Sequence, residues 1–212
     1  MGSHKGYDHL LVGLDLDNTI ISYGDLFYRI ALERGWVEGA CGKDKLSVRI
    51  FLQEQERNDL WTELQGLVYG RYLDKALPFP GVAEFLARCS DCNVPAWIVS
   101  HKTRVAALGH RYDLHASASR WLLSSGLIDN KAGGVSVERI IFCETRSDKL
   151  EAIRRTGLTH FVDDLPDVFL EMDFPDGVER ILFDPEGILT SPLSCRRAQS
   201  WHEIETMIFN AG

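Results

Sequence analysis

Short apolar runs alternate with helical patterns along the chain. Runs with the length and composition of buried strands lie at residues 9–14, 94–99, 139–143, 159–162 and 179–183. Helical patterns separate them, such as residues 82–89 after Pro80 and Gly81, and residues 148–156 closed by Gly157. Strands that alternate with helices predict an α/β fold with a parallel, doubly wound sheet.

One long interval interrupts this alternation directly after the first strand. Residues 22–76 show helical periodicity and no clear strand pattern. We therefore predict a small helical subdomain at 22–76, inserted into a core made of residues 1–21 and 77–212.

Length and composition agree with a folded globular protein. The chain has 212 residues, of which 45% are hydrophobic and 25% are charged. That length suffices for one α/β core and a small insertion. The net charge of −8, without a run of Lys or Arg, argues against nucleic acid as a partner. A small phosphorylated metabolite is still compatible, because a bound metal ion and one or two cationic side chains outweigh the bulk charge locally.

The cysteines and the absence of long apolar stretches suggest a compartment. Five scattered cysteines fit reduced thiols, and no apolar stretch is long enough for a membrane helix, so we expect a cytoplasmic protein with no membrane partner. Cys89 and Cys92 form a C-x-x-C pair, but the sequence supplies no further zinc ligands at a suitable spacing. Residues 1–4 could be a cloning remnant, so we assign them no function.

Acidic pairs follow two of the predicted strands. Asp15 and Asp17 come after the first strand, and Asp163 and Asp164 follow the run at 159–162. Strand ends of a parallel sheet meet at one edge, where ligands bind. One Asp could attack a phosphate ester while another transfers protons, and the remaining carboxylates could hold the Mg²⁺ that offsets the repulsion between anions.

Cationic and hydroxyl side chains complete this predicted site. Ser100 ends the second predicted strand, where its hydroxyl and the amides of a following helix could bind phosphoryl oxygens. Lys149 begins a helix before the second acidic pair and could neutralise both nucleophile and phosphate. Thr19, His101 and Lys102 are further candidates for contacts with phosphate or substrate.

The order of these residues resembles the haloacid dehalogenase (HAD) superfamily over nearly the whole chain. The matching features are Asp-x-Asp-Asn-Thr at 15–19, a hydrophobic strand ending in Ser100, then Lys149, then Asp163 and Asp164. The resemblance implies a Rossmann-like core with a helical cap inserted after the first motif. It also implies Mg²⁺ as cofactor.

Roles for single residues follow from the same resemblance. Asp15 would be the nucleophile and Asp17 the acid/base, with the backbone carbonyl of Asp17 also binding Mg²⁺. Ser100 and Lys149 would hold the phosphoryl group. Asp164 would bind Mg²⁺ directly and Asp163 through water.

The second Asp of the first motif favours one branch of the superfamily. Its dehalogenases usually lack an Asp two residues after the nucleophile, because a halide needs no proton, so Asp17 indicates a phosphatase acting on a small phosphate monoester. Two alternatives are another HAD-type reaction (phosphonate or halide cleavage, or a phosphomutase) and a non-catalytic binding module. Phosphonate cleavage would need an imine-forming lysine in the insertion, for which Lys43, Lys45 and Lys75 are candidates.

Overall fold

The fold is taken from a computed structural model that describes residues 6–128, 135, 139–189 and 195–210. Residues 1–4, interpreted above as a cloning remnant, lie outside the described residues. The strands are β1 (Val12–Leu14), β2 (Ile21–Ser22), β3 (Leu77–Pro78), β4 (Ala96–His101), β5 (Ile140–Cys143), β6 (His160–Asp163), β7 (Glu179–Phe183) and β8 (Arg196–Ala198). The helices are α1 (Leu26–Glu33), α2 (Lys45–Glu54), α3 (Asn58–Gly66), α4 (Val82–Asp91), α5 (Leu114–Ser124), α6 (Arg146–Thr156), α7 (Pro166–Leu170) and α8 (Trp201–Phe209).

Six strands form one sheet in the order β5-β4-β1-β6-β7-β8, and every neighbouring pair is parallel. The predicted parallel, Rossmann-like α/β fold is therefore confirmed. All five apolar runs form strands of this sheet. The strand β8 was not predicted, because its sequence Arg-Arg-Ala lacks an apolar run.

The chain divides into two compact units. The first contains residues 1–21, 78–101 and 125–212, which hold the six-stranded sheet and helices α4, α6, α7 and α8. Its core includes Val99, Ile153 and Phe161, which are fully buried. The apolar strands form this core because both faces of a parallel sheet are covered.

Helix α6 shows how local sequence sets an element of the first unit. Thr145 and Asp148 form a capping box at its start, in which each side chain accepts from the backbone N–H of the other residue. Gly157 ends the helix with a φ of 68°, a left-handed conformation that glycine adopts without strain. The predicted end of this helix at residue 156 matches the structure.

The second unit contains residues 22–77 and 102–124. It holds helices α1, α2, α3 and α5, a π-helical segment at Leu67–Arg71 and a 3-10 turn at Leu73–Lys75. The segment 102–124, which the predicted boundaries place in the core, groups with the insertion. Trp121 of α5 shows why, since its indole N–H donates to the Ala76 carbonyl at 3.0 Å.

An aromatic cluster forms part of the interior of the second unit. The ring of Phe27 stacks on Trp61 at 5.4 Å between centroids and meets Tyr69 edge-on at 5.6 Å. Tyr23 packs edge-on against both Phe27 and Tyr69. Such pairs add stability beyond the area they bury. Across both units, no helix among the described residues is long and apolar enough to cross a membrane.

Candidate active site

Carboxylates from two neighbouring strands meet at the carboxyl edge of the sheet. β1 pairs with β6 in parallel register, and the Asp15 N–H extends this pairing by donating to the Val162 carbonyl at 2.9 Å. Asp15 therefore lies level with the end of β6, where Asp163 is the last strand residue and Asp164 follows. Asp15 thus lies beside the second acidic pair at this edge of the first unit.

A tight turn directly after β1 separates Asp15 from Asp17. The N–H groups of Ile20 and Ile21 both donate to the Leu16 carbonyl, and Asn18 adopts a left-handed φ of 59°. Asn is among the few residues that tolerate this conformation. As a result Asp15 is buried with 6% exposure, whereas Asp17 is half-buried.

Lys149 bridges carboxylates from the two strands. Its Nζ lies 2.5 Å from Asp15 Oδ1 and 2.7 Å from Asp163 Oδ2. The side chain is only 2% exposed, so these contacts replace its solvation. The capped start of α6 fixes the backbone from which this ammonium reaches the sheet edge.

Several carboxylates surround the Lys149 ammonium at this edge and raise the pKa of Asp15. Burial raises the pKa of Asp15 well above its ordinary value. The positive charge of Lys149 lowers this pKa, whereas the carboxylates of Asp163, Asp164 and Asp17 raise it further. Burial alone would lower the pKa of Lys149, but its contacts with Asp15 and Asp163 raise it instead. Lys149 is therefore positively charged, and the carboxylate group would be stabilised by a further cation.

The carboxylate set fits a hard divalent cation. Oxygens of Asp15, Asp163 and Asp164 all lie within 4.8 Å of one another, and oxygen ligands are what Mg²⁺ prefers. Asp163 already accepts from the Leu165 N–H through Oδ1 and from Lys149 through Oδ2. The Asp17 carboxylate is outside this group of three.

Ser100 lies on the other side of β1. Its strand β4 pairs in parallel with β1, which brings Ser100 to the same sheet edge as Asp15. The side chain is 1% exposed, and within the described part of the chain its Oγ has no hydrogen-bond partner. A buried hydroxyl without a partner is rare and indicates a place for a ligand atom.

The helix expected directly after Ser100 was predicted wrongly. β4 continues to His101, and the next helix, α5, begins only at Leu114. The loop between them carries Arg104 and Gly109, whose polar and flexible character ends the helical pattern. Ser100 consequently offers its hydroxyl from within a strand and not from a helix start.

The remaining predicted residues occupy distinct positions around this edge. Thr19 is fully buried, and its hydroxyl lies 3.5 Å from Asp164 Oδ1, so it contacts a carboxylate of the cluster. His101 is exposed, and its ring Nε2 donates to the Glu144 carbonyl at 3.2 Å. Asp167, which was not among the predicted residues, lies in the first turn of α7 and pairs with Arg146 at 3.9 Å.

Sequence reasoning missed one contact of the site. Trp201, in the last helix, α8, donates from its indole N–H to the Thr19 carbonyl at 3.2 Å. It is 1% exposed and packs against Phe85 and Phe183. The two bonded residues are 182 positions apart, and no local pattern signals such a bond.

Comparison with known proteins places the chain in a structural class. No protein-family model matches the chain, and no curated protein matches it in sequence. Solved structures do match in fold. The Bacillus subtilis protein YfnB, solved bound to magnesium, aligns at a TM-score of 0.59 and 11% identity over 94% of this chain and 98% of its own. A HAD family hydrolase from Deinococcus radiodurans R1, solved with bound phosphate and sodium, aligns at 0.57 and 15% identity over 95% and 96%.

An L-2-haloacid dehalogenase also matches, at a TM-score of 0.52 and 13% identity over 94% of this chain and 98% of its own. The chain has a HAD-like fold. Because the HAD-like fold hosts both hydrolases that bind phosphate and dehalogenases, the reaction must be argued from the site residues.

Proposed function

We propose that this protein is a HAD-type hydrolase, a Mg²⁺-dependent phosphatase that hydrolyses a small phosphate monoester through an aspartyl-phosphate at Asp15. The observation that carries the proposal is the bridge from Lys149 to Asp15 and Asp163, with Asp164 within 4.8 Å. A buried carboxylate fixed by an ammonium beside further carboxylates suits a nucleophile for phosphoryl transfer. The proposed compartment is the cytoplasm, in keeping with five cysteines that form no disulfide.

The carboxylates would hold Mg²⁺ through Asp15, Asp164 and the backbone carbonyl of Asp17, with Asp163 reached through water. Bound there, Mg²⁺ would neutralise charge on the phosphoryl oxygens and orient them. Asp164 suits direct binding better than Asp163, because Leu165 and Lys149 already occupy both oxygens of Asp163. Related folds solved with magnesium or with phosphate and sodium support this choice of ligands.

Catalysis divides between the two Asp residues that the turn separates. The Asp15 carboxylate attacks phosphorus, the ester P–O bond breaks, and Asp17 gives its proton to the departing alkoxide. Asp17 then takes a proton from water, which attacks the acyl-phosphate and releases inorganic phosphate with Asp15 restored. Lys149 and the Ser100 hydroxyl would hold the phosphoryl oxygens in both steps.

Asp17 is what separates this proposal from halide or phosphonate cleavage. Only a leaving alkoxide needs the proton that this half-buried carboxylate would supply. A protein that merely binds a partner would have no use for an acid/base beside a buried nucleophile. Substrates of the proposed class are small phosphorylated metabolites.

The direct test combines a nucleophile variant with metal removal. With para-nitrophenyl phosphate and Mg²⁺, Asp15→Asn should lower kcat by at least about 10⁴-fold, because no acyl-phosphate can form. Chelation of Mg²⁺ should abolish turnover of the wild type reversibly. Glu151→Gln, on an exposed position of α6, is the control and should retain wild-type kcat. Full turnover by Asp15→Asn would contradict the mechanism.

A further inference from the structure

The turn that follows β1 is held by hydrogen bonds from segments outside it. The Trp201 indole N–H donates to the Thr19 carbonyl at 3.2 Å. The backbone N–H of Phe79 donates to the Ile20 carbonyl at 2.9 Å. Thr19 and Ile20 are fully buried, so water cannot replace these bonds. Two segments that are distant in the sequence therefore fix the backbone of the turn.

Thr19 connects this support to the carboxylate cluster. Its hydroxyl donates to Asp164 Oδ1 over 3.5 Å, near the upper limit for a hydrogen bond. Asp164 is one of the three residues whose carboxylate oxygens lie within 4.8 Å of one another. Because so long a contact is lost on a small displacement, the position of the Thr19 backbone determines whether the hydroxyl holds Asp164. The bond from Trp201 fixes that position.

Trp201 is itself held by a helix cap and by ring packing. It is the first residue of α8, and the Ser200 hydroxyl caps this helix by accepting from the Glu203 N–H at 3.2 Å. The indole packs against the rings of Phe85 and Phe183, with centroids 5.1 and 6.0 Å away. The contacts that bury the indole therefore also fix the direction of its N–H.

Gly81, directly before α4, allows a close approach of Trp201. A Cβ added at Gly81 would lie 2.8 Å from the Trp201 Cβ, which is closer than two such atoms pack. Gly81 also has a φ of 91°, a left-handed conformation that favours glycine. A side chain at position 81 would therefore displace Trp201.

We propose that Trp201 is a positioning residue for the Mg²⁺ site. It holds the backbone of Thr19, whose hydroxyl orients Asp164. The inference rests on the proposed function, because Mg²⁺ at this site is part of that function. Mg²⁺ demands near-ideal octahedral geometry, so its affinity depends on how each ligand is oriented. Trp201 acts on the ion only through Thr19 and Asp164.

The test is a double-mutant cycle that measures the affinity for Mg²⁺ by titration calorimetry. Trp201→Phe keeps a ring but removes the indole donor, whereas Thr19→Val keeps the carbonyl but removes the hydroxyl. Each change should weaken Mg²⁺ binding about tenfold, the lower end of the range for groups that orient metal ligands. The double variant should bind Mg²⁺ as weakly as Thr19→Val alone, because it has no hydroxyl left to position.

Trp121→Phe is the matched control. Trp121 is also buried, and its indole N–H also donates to a carbonyl, that of Ala76 in the second unit, at 3.0 Å. The chemical change and the lost hydrogen bond are therefore the same as in Trp201→Phe. Because Ala76 lies outside the turn after β1, Trp121→Phe should keep the wild-type affinity for Mg²⁺.

A second perturbation covers the case in which Trp201→Phe does not fold, which circular dichroism detects. Gly81→Ala keeps the indole but displaces it, and should weaken Mg²⁺ binding. Gly177→Ala is its control, because Gly177 has a similar φ of 81° but an added Cβ would meet no atom within 4 Å. Gly177→Ala should therefore keep the wild-type affinity.

The inference would be overturned by wild-type affinity in Trp201→Phe, by an equal loss in Trp121→Phe, or by losses that multiply in the double variant. Equal affinities of Gly81→Ala and Gly177→Ala would overturn it too. A wild type that binds Mg²⁺ but does not hydrolyse para-nitrophenyl phosphate would refute the proposed reaction alone, since the titrations still test Trp201. A wild type that does not bind Mg²⁺ would overturn the inference together with the metal site.

Discussion

The two units place a buried lysine in opposite surroundings. In the first, Lys149 lies between the carboxylates of Asp15 and Asp163 at 2.5 and 2.7 Å. In the second, Lys102 lies over the uncharged ring of Tyr69 at 4.5 Å. The carboxylates attract Lys149 through opposite charge, whereas the ring of Tyr69 attracts Lys102 through its quadrupole. The proposed chemistry therefore belongs to the carboxylates around Lys149 in the first unit.

Replacing each lysine with Met should lower the free energy of unfolding by different amounts. Lys149→Met leaves buried carboxylates without their ammonium and should lower the free energy of unfolding by about 3–5 kcal/mol. Lys102→Met loses contacts with a ring and should cost about 1–2 kcal/mol. Urea unfolding of both variants checks the ranking, and comparable losses would remove the contrast.

Adding Mg²⁺ tests whether the carboxylates around Lys149 bind a metal ion. It should raise the melting temperature of Lys149→Met more than that of the wild type, because the added cation replaces the missing ammonium among the carboxylates. Arg154→Met, which removes an exposed partner of Glu151 on the same helix, should cost less than about 1 kcal/mol and leave the Mg²⁺ response unchanged. An identical Mg²⁺ response in Lys149→Met and the wild type would contradict the proposed metal site.

A smaller effect is expected where the last helix meets the active-site turn. Trp201→Phe keeps an aromatic ring but leaves the Thr19 carbonyl without its indole donor, at a cost of about 1–3 kcal/mol. Because Thr19 contacts Asp164, the affinity for Mg²⁺ should fall as well. Calorimetric titration with Mg²⁺ measures this. Phe85→Leu is the control, because it alters the packing on the Trp201 indole but keeps the hydrogen bond to Thr19. If Phe85→Leu lowered the affinity for Mg²⁺ equally, the effect of Trp201→Phe would come from packing and not from the lost hydrogen bond.

The smallest effect concerns a histidine away from both lysines. Burial lowers the pKa of His160 from 6.5; Glu179 opposes the shift, and Arg196 and His9 add to it. The unfolded chain therefore binds this proton more readily. The stability contribution is present above the unfolded pKa and is lost as pH falls from there through the lower folded pKa. His160→Gln should lose less stability than the wild type between about pH 8 and about pH 5.5 in urea unfolding. Parallel pH profiles would show that His160 does not contribute.

The sequence predicted what depends on local pattern. The strand at 179–183 has the predicted bounds, because its apolar residues are buried together in the sheet. The acidic pairs were located by their position after apolar runs. The short polar strand β8 was missed, since its pairing with β7 depends on backbone bonds that no side-chain pattern shows.

Contacts between distant segments were beyond the sequence. The bond from Trp201 to Thr19 and the contact of Lys102 with the Tyr69 ring depend on how the chain folds back on itself. The grouping of residues 102–124 with the insertion also depends on contacts between segments that are distant in the sequence. Nothing in the local sequence distinguishes these helices from helices that cover a sheet.

Trapping the covalent intermediate tests the central claim most directly. Asp17→Asn removes the proposed base for the attacking water. Because para-nitrophenolate leaves without needing a proton, the phosphoryl group should transfer and then remain on the protein. We predict a burst of one para-nitrophenolate per protein molecule, and mass spectrometry of the quenched protein should locate the phosphate on Asp15. Steady turnover without a burst, or phosphate on any other residue, would contradict the account.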